Sequence, residues 1–268
     1  RLWDEQDLPY LSRTTDQIHE YGSLAGVELV HNGFRVTNLE SREVALAPSA
    51  RPVSGIYPSS ARAMDAQDIK NYRKWHRTAA LNARTAGFDV IYVYAGHDLS
   101  LAMHFLSRRH NHRTDEYGGS LENRVRLLRE LVEETKDAVG DTCAVALRFS
   151  VDEMIGPTGL TCEQEGRDVV EMLAELPDLW DVNVSTWEND SVTARFADEG
   201  YQEPFIGFVK QVTSKPVVGV GRYTSPDHMA SLIRKGVLDF IGAARPSIAD
   251  PFLPMKIQEG RSEDIREC

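Results

Sequence analysis

Between residues 88 and 124 the chain reads FDVIYVYAGHDLSLAMHFLSRRHNHRTDEYGGSLENR, an apolar run that opens into titratable and turn-forming chemistry. Tyr94 and His97 stand three residues apart where the run ends. A strand leaves its pleat there, and both side chains can turn toward one pocket. His104, His110 and His112 follow without a metal-ligand spacing and read as surface histidines. Two charges stand inside apolar runs elsewhere: Glu28 in GVELVH and Arg148 in AVALRF. Each needs a partner, because an unpaired charge is rarely buried. Either the two satisfy one another or both face a polar, aromatic cofactor. Later in the chain, GVGR (219–222) and IGAARP (241–246) combine small residues with Arg222 and Arg245. Small residues let backbone N–H groups approach an anion, and the same pattern at two strand ends points to phosphate rather than to two tight turns.

These groups are positioned by an alternation of helices and strands. A helix over about Asp4–Tyr21 precedes a strand in AGVELVH (25–31). A helix over Asp68–Ala86 precedes FDVIYVY (88–94). Ser120 caps a helix carrying Leu121, Val125, Leu128, Val132 and Thr135 at three- and four-residue spacing, followed by CAVALRF (143–149). Thr161 and Gln164 fit a capping box that opens a helix to about Leu176, before LWDVNV (179–184). Phe205–Thr213 reads as helix and KPVVGV (215–220) as strand. Ser225 and Pro226 begin a helix that runs to Lys235, and LDFIGAA (238–244) is the last strand. Six strands separated by helices imply an α/β protein with a parallel sheet. No G-x-G-x-x-G follows an early strand, which argues against a dinucleotide-binding fold. Polar residues gather instead after strand ends: His31-Asn32, Tyr94–His97, Arg148, Trp187–Asp190, Gly221-Arg222 and Arg245. That is how a (β/α)8 barrel builds its active site. Six strands are two short of eight and the first residues read as helix, so the expectation is a TIM barrel lacking its first two strands, a piece of a longer protein.

The composition supports an ordinary soluble domain. With 268 residues, 41% of them hydrophobic, the chain can bury a core, and no apolar run has the length of a membrane span. A net charge of -11 argues against nucleic acid, whose phosphates call for clustered Lys and Arg. The three cysteines, Cys143, Cys162 and Cys268, are too widely spaced for a disulfide framework, so a cytoplasmic protein is expected.

The stretch FLSRRHNHRTDEYGGSLENRVR resembles the loop and helix after strand four of Old Yellow Enzyme-type flavin oxidoreductases. GVGRYTSPD and IGAARPSIADPFLP resemble that family's two phosphate loops. Within the family, Tyr94 and His97 match the amine dehydrogenases and related N-demethylases, and TWENDSVTARF resembles their segment with an aromatic cage residue and an acid, here Trp187 and Asp190. The resemblance implies an FMN-binding barrel over residues 1–260, with Glu28, Arg148, Gly219, Gly221, Arg222, Ala243, Ala244 and Arg245 on the cofactor. It implies Tyr94, His97 and Asp190 as catalytic residues, and Trp187 and His31 toward substrate. Ordinary core packing for Trp187 and a local turn for Asp190 are the competing readings. Residues 261–268 resemble the start of an iron–sulfur segment, in which Cys268 is one ligand of a 4Fe-4S cluster completed elsewhere. The implied reaction is oxidative demethylation of a secondary or tertiary N-methylated amine, with an electron-transfer flavoprotein or another acceptor as partner and a homo-oligomeric assembly. The alternative is an NAD(P)H-dependent ene-reductase of the 2,4-dienoyl-CoA reductase or Old Yellow Enzyme type.

Overall fold

The computed structural model describes residues 1–35, 42–53, 59–189 and 196–267. The chain divides into two units, residues 1–148 with 176–178, and residues 149–175 with 179–268. Among the described residues six strands form one sheet and three others a second.

In the first unit, α1 (Leu8–His19) carries a proline in its first turn, where a missing N–H costs nothing. Its buried residue, Thr15, donates its hydroxyl to the Ala86 carbonyl at 2.6 Å. Gly87 meets it there with a φ of 91°, and a Cβ at that position would lie 2.9 Å from the Thr15 hydroxyl. β1 (Gly26–Leu29) comes next, shorter than expected, so His31 lies beyond the strand. β2 (Leu46–Ala47), β3 (Arg51–Val53) and β4 (Ser59–Ala63) form the small sheet, with β2 parallel and β3 antiparallel to β4. No strand is expected there from the sequence, because strands of two to five residues carry little readable period. Phe34, Ala45, Ala47, Val53 and Ala61 make its core.

α2 (Ala66–Thr85) starts two residues before the expected point. Asp65 and Asp68 form a reciprocal capping box, each side chain accepting from the other's backbone N–H. Its buried face is Ile69, Tyr72, His76, Ala80 and Ala83, a helical stripe. β5 (Val90–Ala95) pairs in parallel with β1, Glu28 standing opposite Tyr92. α3 (Leu101–Leu106), capped by Ser100, is buried throughout. α4 (Leu121–Val139) is capped by Ser120 as expected and buries Val125, Leu128, Val132 and Thr135. Each fully buried leucine on such a face contributes roughly 1.5–3 kcal/mol.

β6 (Ala144–Asp152) runs three residues past the expected end. In the second unit, α5 (Glu165–Leu173) is shorter than the expected 161–176. The capping box from Thr161 to Gln164 is not made. Gln164 is itself the N-cap without a side-chain bond, and its N–H goes to the Thr161 carbonyl. A Cβ on Gly166 would fall 1.9 Å from the Val151 carbonyl oxygen, so this close approach fixes where the helix can begin. β7 (Leu179–Val184) follows as expected. The single helix read over 205–213 is two turns, α6 (Glu203–Ile206) and α7 (Val209–Val212), broken at Gly207 and Phe208. β8 (Val217–Gly219) pairs in parallel with β7. α8 (Pro226–Arg234) has the expected Ser225 cap and first-turn proline. β9 (Phe240–Ile241) is parallel to β8 and covers only two residues of the expected 238–244. Ala244 and Arg245 instead open α9 (Ala244–Ala249), with Ala243 as its N-cap. α10 (Leu253–Gln258) is the last helix. Among the described residues no helix is long and apolar enough to cross a membrane.

Candidate active site

Tyr94 occupies the penultimate position of β5, and His97 follows across Gly96. Both are nearly buried, at 6% and 7% exposure, and the Tyr94 hydroxyl lies 2.7 Å from His97 Nδ1. The proximity expected from a three-residue step at a strand end is therefore realised. A left-handed turn produces it: His97 and Asp98 have φ values of 54° and 56°, and the Leu99 N–H closes back onto the Gly96 carbonyl.

Glu28 and Arg148 meet from β1 and β6 on the two sides of β5, Arg148 Nη1 donating to Glu28 Oε2 at 3.0 Å. The two charges therefore pair with one another, and the exposed third of each side chain leaves room for a cofactor beside them. Both side chains are about a third exposed, 32% and 31%, so the pair contributes at most about 1 kcal/mol. Its consequence is orientation. The Arg148 guanidinium lies 5.6 Å from the centre of the Tyr94 ring, which joins carboxylate, guanidinium, phenol and imidazole into one group.

His31 is held elsewhere in the unit. Its Nδ1 accepts the Gly33 N–H at 3.0 Å, its ring stacks on Trp75 at 6.4 Å and meets the edge of Tyr72 at 5.5 Å. Burial lowers its pKa, partly countered by a hydrogen bond to its own backbone, so the imidazole is neutral at pH 7 and carries its proton on Nε2.

The histidines expected at the surface divide. His112 is exposed, but His104 and His110 are buried, which corrects the sequence reading. They surround Asp98, itself fully buried. His110 Nε2 lies 2.8 Å from Asp98 Oδ1, Arg109 Nη2 donates to Oδ2 at 3.1 Å, and Arg35 donates to the same oxygen. Burial by itself would raise the Asp98 pKa. The His110 hydrogen bond and the charges of His110, His104 and Arg35 outweigh it and hold the carboxyl below the usual range. Burial drives His104 down to about 3, so it is neutral at working pH. The sequence hid this cluster because its parts are spread over Arg35, Arg51, Asp98, His104, Arg109 and His110; its signal was an acid directly after His97 and a basic run eleven residues on. Near that run, Arg113 pairs with Asp115. Arg124 is buried and donates to the Leu106 and Gly119 carbonyls, bracing the backbone there.

In the second unit, Trp187 stands just after β7 with 58% of its surface exposed, which removes the core-packing reading. Arg222 follows Gly221 in the left-handed region at φ 57°. Its Nη1 reaches the Ala197 carbonyl at a long 3.4 Å, and its buried Nε has no hydrogen-bond partner among the described residues. Its Nη2 lies 3.7 Å from the exposed Glu267 carboxylate, beyond hydrogen-bond distance, so this mostly covered guanidinium keeps donors that fit a phosphate. Ala243, Ala244 and Arg245 contribute the start of α9, where backbone N–H groups lack partners within the helix. Gly219 has another reason to be small. A Cβ there would come within 2.7 Å of Leu238 and 2.8 Å of Ile206, so its lack of a side chain lets the core close. Asp190 and Cys268 lie outside the described residues, within which no cluster of His, Cys, Asp or Glu could hold a metal.

The sequence pattern of the NADH:flavin oxidoreductase / NADH oxidase family matches residues 1–264. The chain belongs to this family. It is 40% identical, over its whole length, to a dimethylamine dehydrogenase of Hyphomicrobium sp. (strain x), of which it covers 38%. Among solved structures, a 6-hydroxypseudooxynicotine amine oxidase from Pseudomonas geniculata N1 is 58% identical with a TM-score of 0.96. A histamine dehydrogenase from Rhizobium sp. 4-9 is 55% identical with a TM-score of 0.94. All of this chain is covered in both comparisons, against 40% and 39% of those chains. This member of the flavin oxidoreductase family thus spans about two-fifths of the length of these relatives. The likeness extends to an old yellow enzyme homologue from Zymomonas mobilis, 28% identical with a TM-score of 0.82 over 97% of this chain and 73% of that one. The alternating helices and parallel strands are accordingly those of the expected barrel, six of whose strands lie in the described residues.

Proposed function

We propose that the chain is the FMN-binding barrel portion of a flavin-dependent amine dehydrogenase. The observation that carries the reading is the buried Tyr94–His97 hydrogen bond beside the Glu28–Arg148 pair. The names of the relatives at 40–58% identity, each an amine dehydrogenase or amine oxidase, support it. FMN, when bound, would accept the hydride equivalent from the carbon beside the amine nitrogen. Arg222, with the backbone around Gly221 and Ala243–Arg245, would hold the phosphate; Glu28 and Arg148 would line the flavin ring.

Tyr94 and His97 share one hydrogen bond and so can take up or return a proton at Tyr94 Oη or His97 Nδ1. An amine gives up hydride only as the free base, so a proton acceptor at this position has direct use. The exposed indole of Trp187 offers a face for an alkylammonium group, with an attraction of about 1–2 kcal/mol when desolvated. Asp190 is assigned the charge that draws the amine in, and His31 a place toward substrate. For an N-methylated substrate the product iminium would add water, releasing formaldehyde and the demethylated amine.

In the longer protein Cys268 is proposed as a ligand of a 4Fe-4S cluster, which needs about four thiolates and passes electrons onward to an electron-transfer flavoprotein or another acceptor. A cytoplasmic homo-oligomer completes the reading. The test is the full-length protein, purified and analysed for flavin and iron, then assayed with trimethylamine, dimethylamine, N-methylproline, histamine and enones. The reading requires FMN, iron and turnover of an amine. Reduction of enones with NAD(P)H and no amine turnover would replace it with the ene-reductase.

A further inference from the structure

We infer that Asp98 is a positioning residue, clamped so that the turn it shares with His97 holds the imidazole against Tyr94. The inference rests on the catalytic reading of Tyr94 and His97.

Two consecutive non-glycine residues in the left-handed region are uncommon, and such a turn persists only where its surroundings over-determine it. The surroundings here do so from four directions. Arg35 donates Nε to the Asp98 carbonyl oxygen at 2.8 Å and Nη2 to the carboxylate. Arg109 donates to the carboxylate at 3.1 Å. His104 Nε2 lies 3.0 Å from the Asp98 carbonyl oxygen, which can only accept, so this nitrogen carries the proton. His110 Nε2 lies 2.8 Å from Oδ1, and its other nitrogen faces the Arg51 guanidinium. A guanidinium only donates, so Nδ1 of His110 accepts and Nε2 must donate to Asp98.

Every donor thus has a fixed direction, and packing fixes the rings as well. Phe34 stacks on His104 at 4.0 Å and meets His110 at 4.9 Å, with the Arg51 guanidinium over its ring at 4.0 Å. Gly33 lets His104 approach: a Cβ there would lie 2.7 Å from His104 Nδ1. This arrangement spends a buried carboxylate, two histidines and three arginines on one peptide, and that peptide carries His97. A brace for the fold alone needs no such convergence on the residue beside the imidazole.

Asp98→Asn separates these roles. An amide keeps the size of the carboxyl and can accept from the two guanidiniums with one oxygen. Its NH2 then faces the Nε2–H of His110, donor against donor, and His110 cannot change tautomer while Arg51 occupies Nδ1. Full-length holoenzyme would be compared as wild type, Asp98→Asn, His97→Gln and the double variant, each with flavin content, melting temperature, kcat and KM for the amine that the wild type turns over. We expect kcat to fall about 10-fold in Asp98→Asn with KM changed less than about 2-fold, and the double variant to be no slower than His97→Gln within about 2-fold. Losses that multiply in the double variant, or an Asp98→Asn enzyme equal to wild type beside an impaired His97→Gln, would overturn the positioning role alone. A His97→Gln enzyme as fast as wild type would remove the catalytic reading and this inference with it. If Asp98→Asn does not accumulate as folded protein, His110→Leu removes one donor and leaves the carboxylate on its guanidiniums, and the same cycle is read with that variant.

Discussion

Tyr94 and Arg222 show how much of the chemistry rests on single polar atoms. Tyr94 is almost covered and its hydroxyl has a short bond to His97, so Tyr94→Phe removes that bond and little volume. Turnover of the amine is expected to drop roughly 100-fold, the scale of losing one proton-transfer partner, with flavin content and melting temperature near wild type. Stopped-flow reduction of the bound flavin by amine measures the step directly. Arg222 has the opposite character, a guanidinium whose buried Nε lacks a partner among the described residues. Arg222→Ala is expected to weaken FMN binding by roughly 10-fold or more, the scale of a charge-assisted bond to phosphate. Titration of flavin fluorescence against the stripped full-length protein checks it, and an unchanged Kd would move the phosphate away from this loop.

At the scale of elements, the R-T-D-E-Y-G-G turn shows two adjacent glycines needed for different reasons. Gly118 packs against backbone: a Cβ would fall 2.3 Å from the Arg113 carbonyl oxygen, which cannot swing aside. Gly119 stands in open space but at φ 81°, where a side chain is strained without colliding. Gly118→Ala is expected to cost about 2 kcal/mol or more and Gly119→Ala about 1 kcal/mol. Urea denaturation followed by circular dichroism would rank them, and equal costs would contradict the contact. The turn needs this rigidity because Asn111 is buried beneath it, its amide donating to the Phe105 and Tyr117 carbonyls at 2.7 Å each and so tying α3 to the turn that precedes α4.

For the whole molecule, buried histidines set the response to acid. His76 on α2 lies 3.2 Å from the Thr135 hydroxyl of α4, and its buried Nε2 has no hydrogen-bond partner among the described residues. Burial pushes its pKa down to about 4. A histidine depressed in the folded state is held neutral, so its share of stability is whole above the unfolded value near 6.5. That share is lost as pH falls from there toward 4, and amounts to about 3 kcal/mol across the window. Between pH 7 and 5 the expected loss from this residue is about 2 kcal/mol. His76→Leu is expected to lose that much less over the same interval, measured by urea unfolding at the two pH values. Parallel pH slopes for wild type and variant would show that His76 is not buried neutral.

The sequence by itself determined the alternation of six strands with helices, the caps at Ser120 and Ser225 and the stripe along α4, because these depend on local period and on side chains reaching their own backbone. It also placed Tyr94 beside His97, since three residues at a strand end leave few geometries. Tertiary structure decided what depends on distant partners. It set the start of α5 through the approach of Gly166 to Val151, and replaced the far end of the last expected strand with a helix at Ala244. It paired Glu28 with Arg148 across β5, where the sequence left two outcomes open. Above all it buried His104 and His110. Their exposed reading came from a polar, turn-rich neighbourhood, and what reverses it is Phe34, brought from elsewhere in the chain to cover the imidazoles, and Asp98, whose carbonyl and carboxylate take the hydrogen bonds that water no longer reaches.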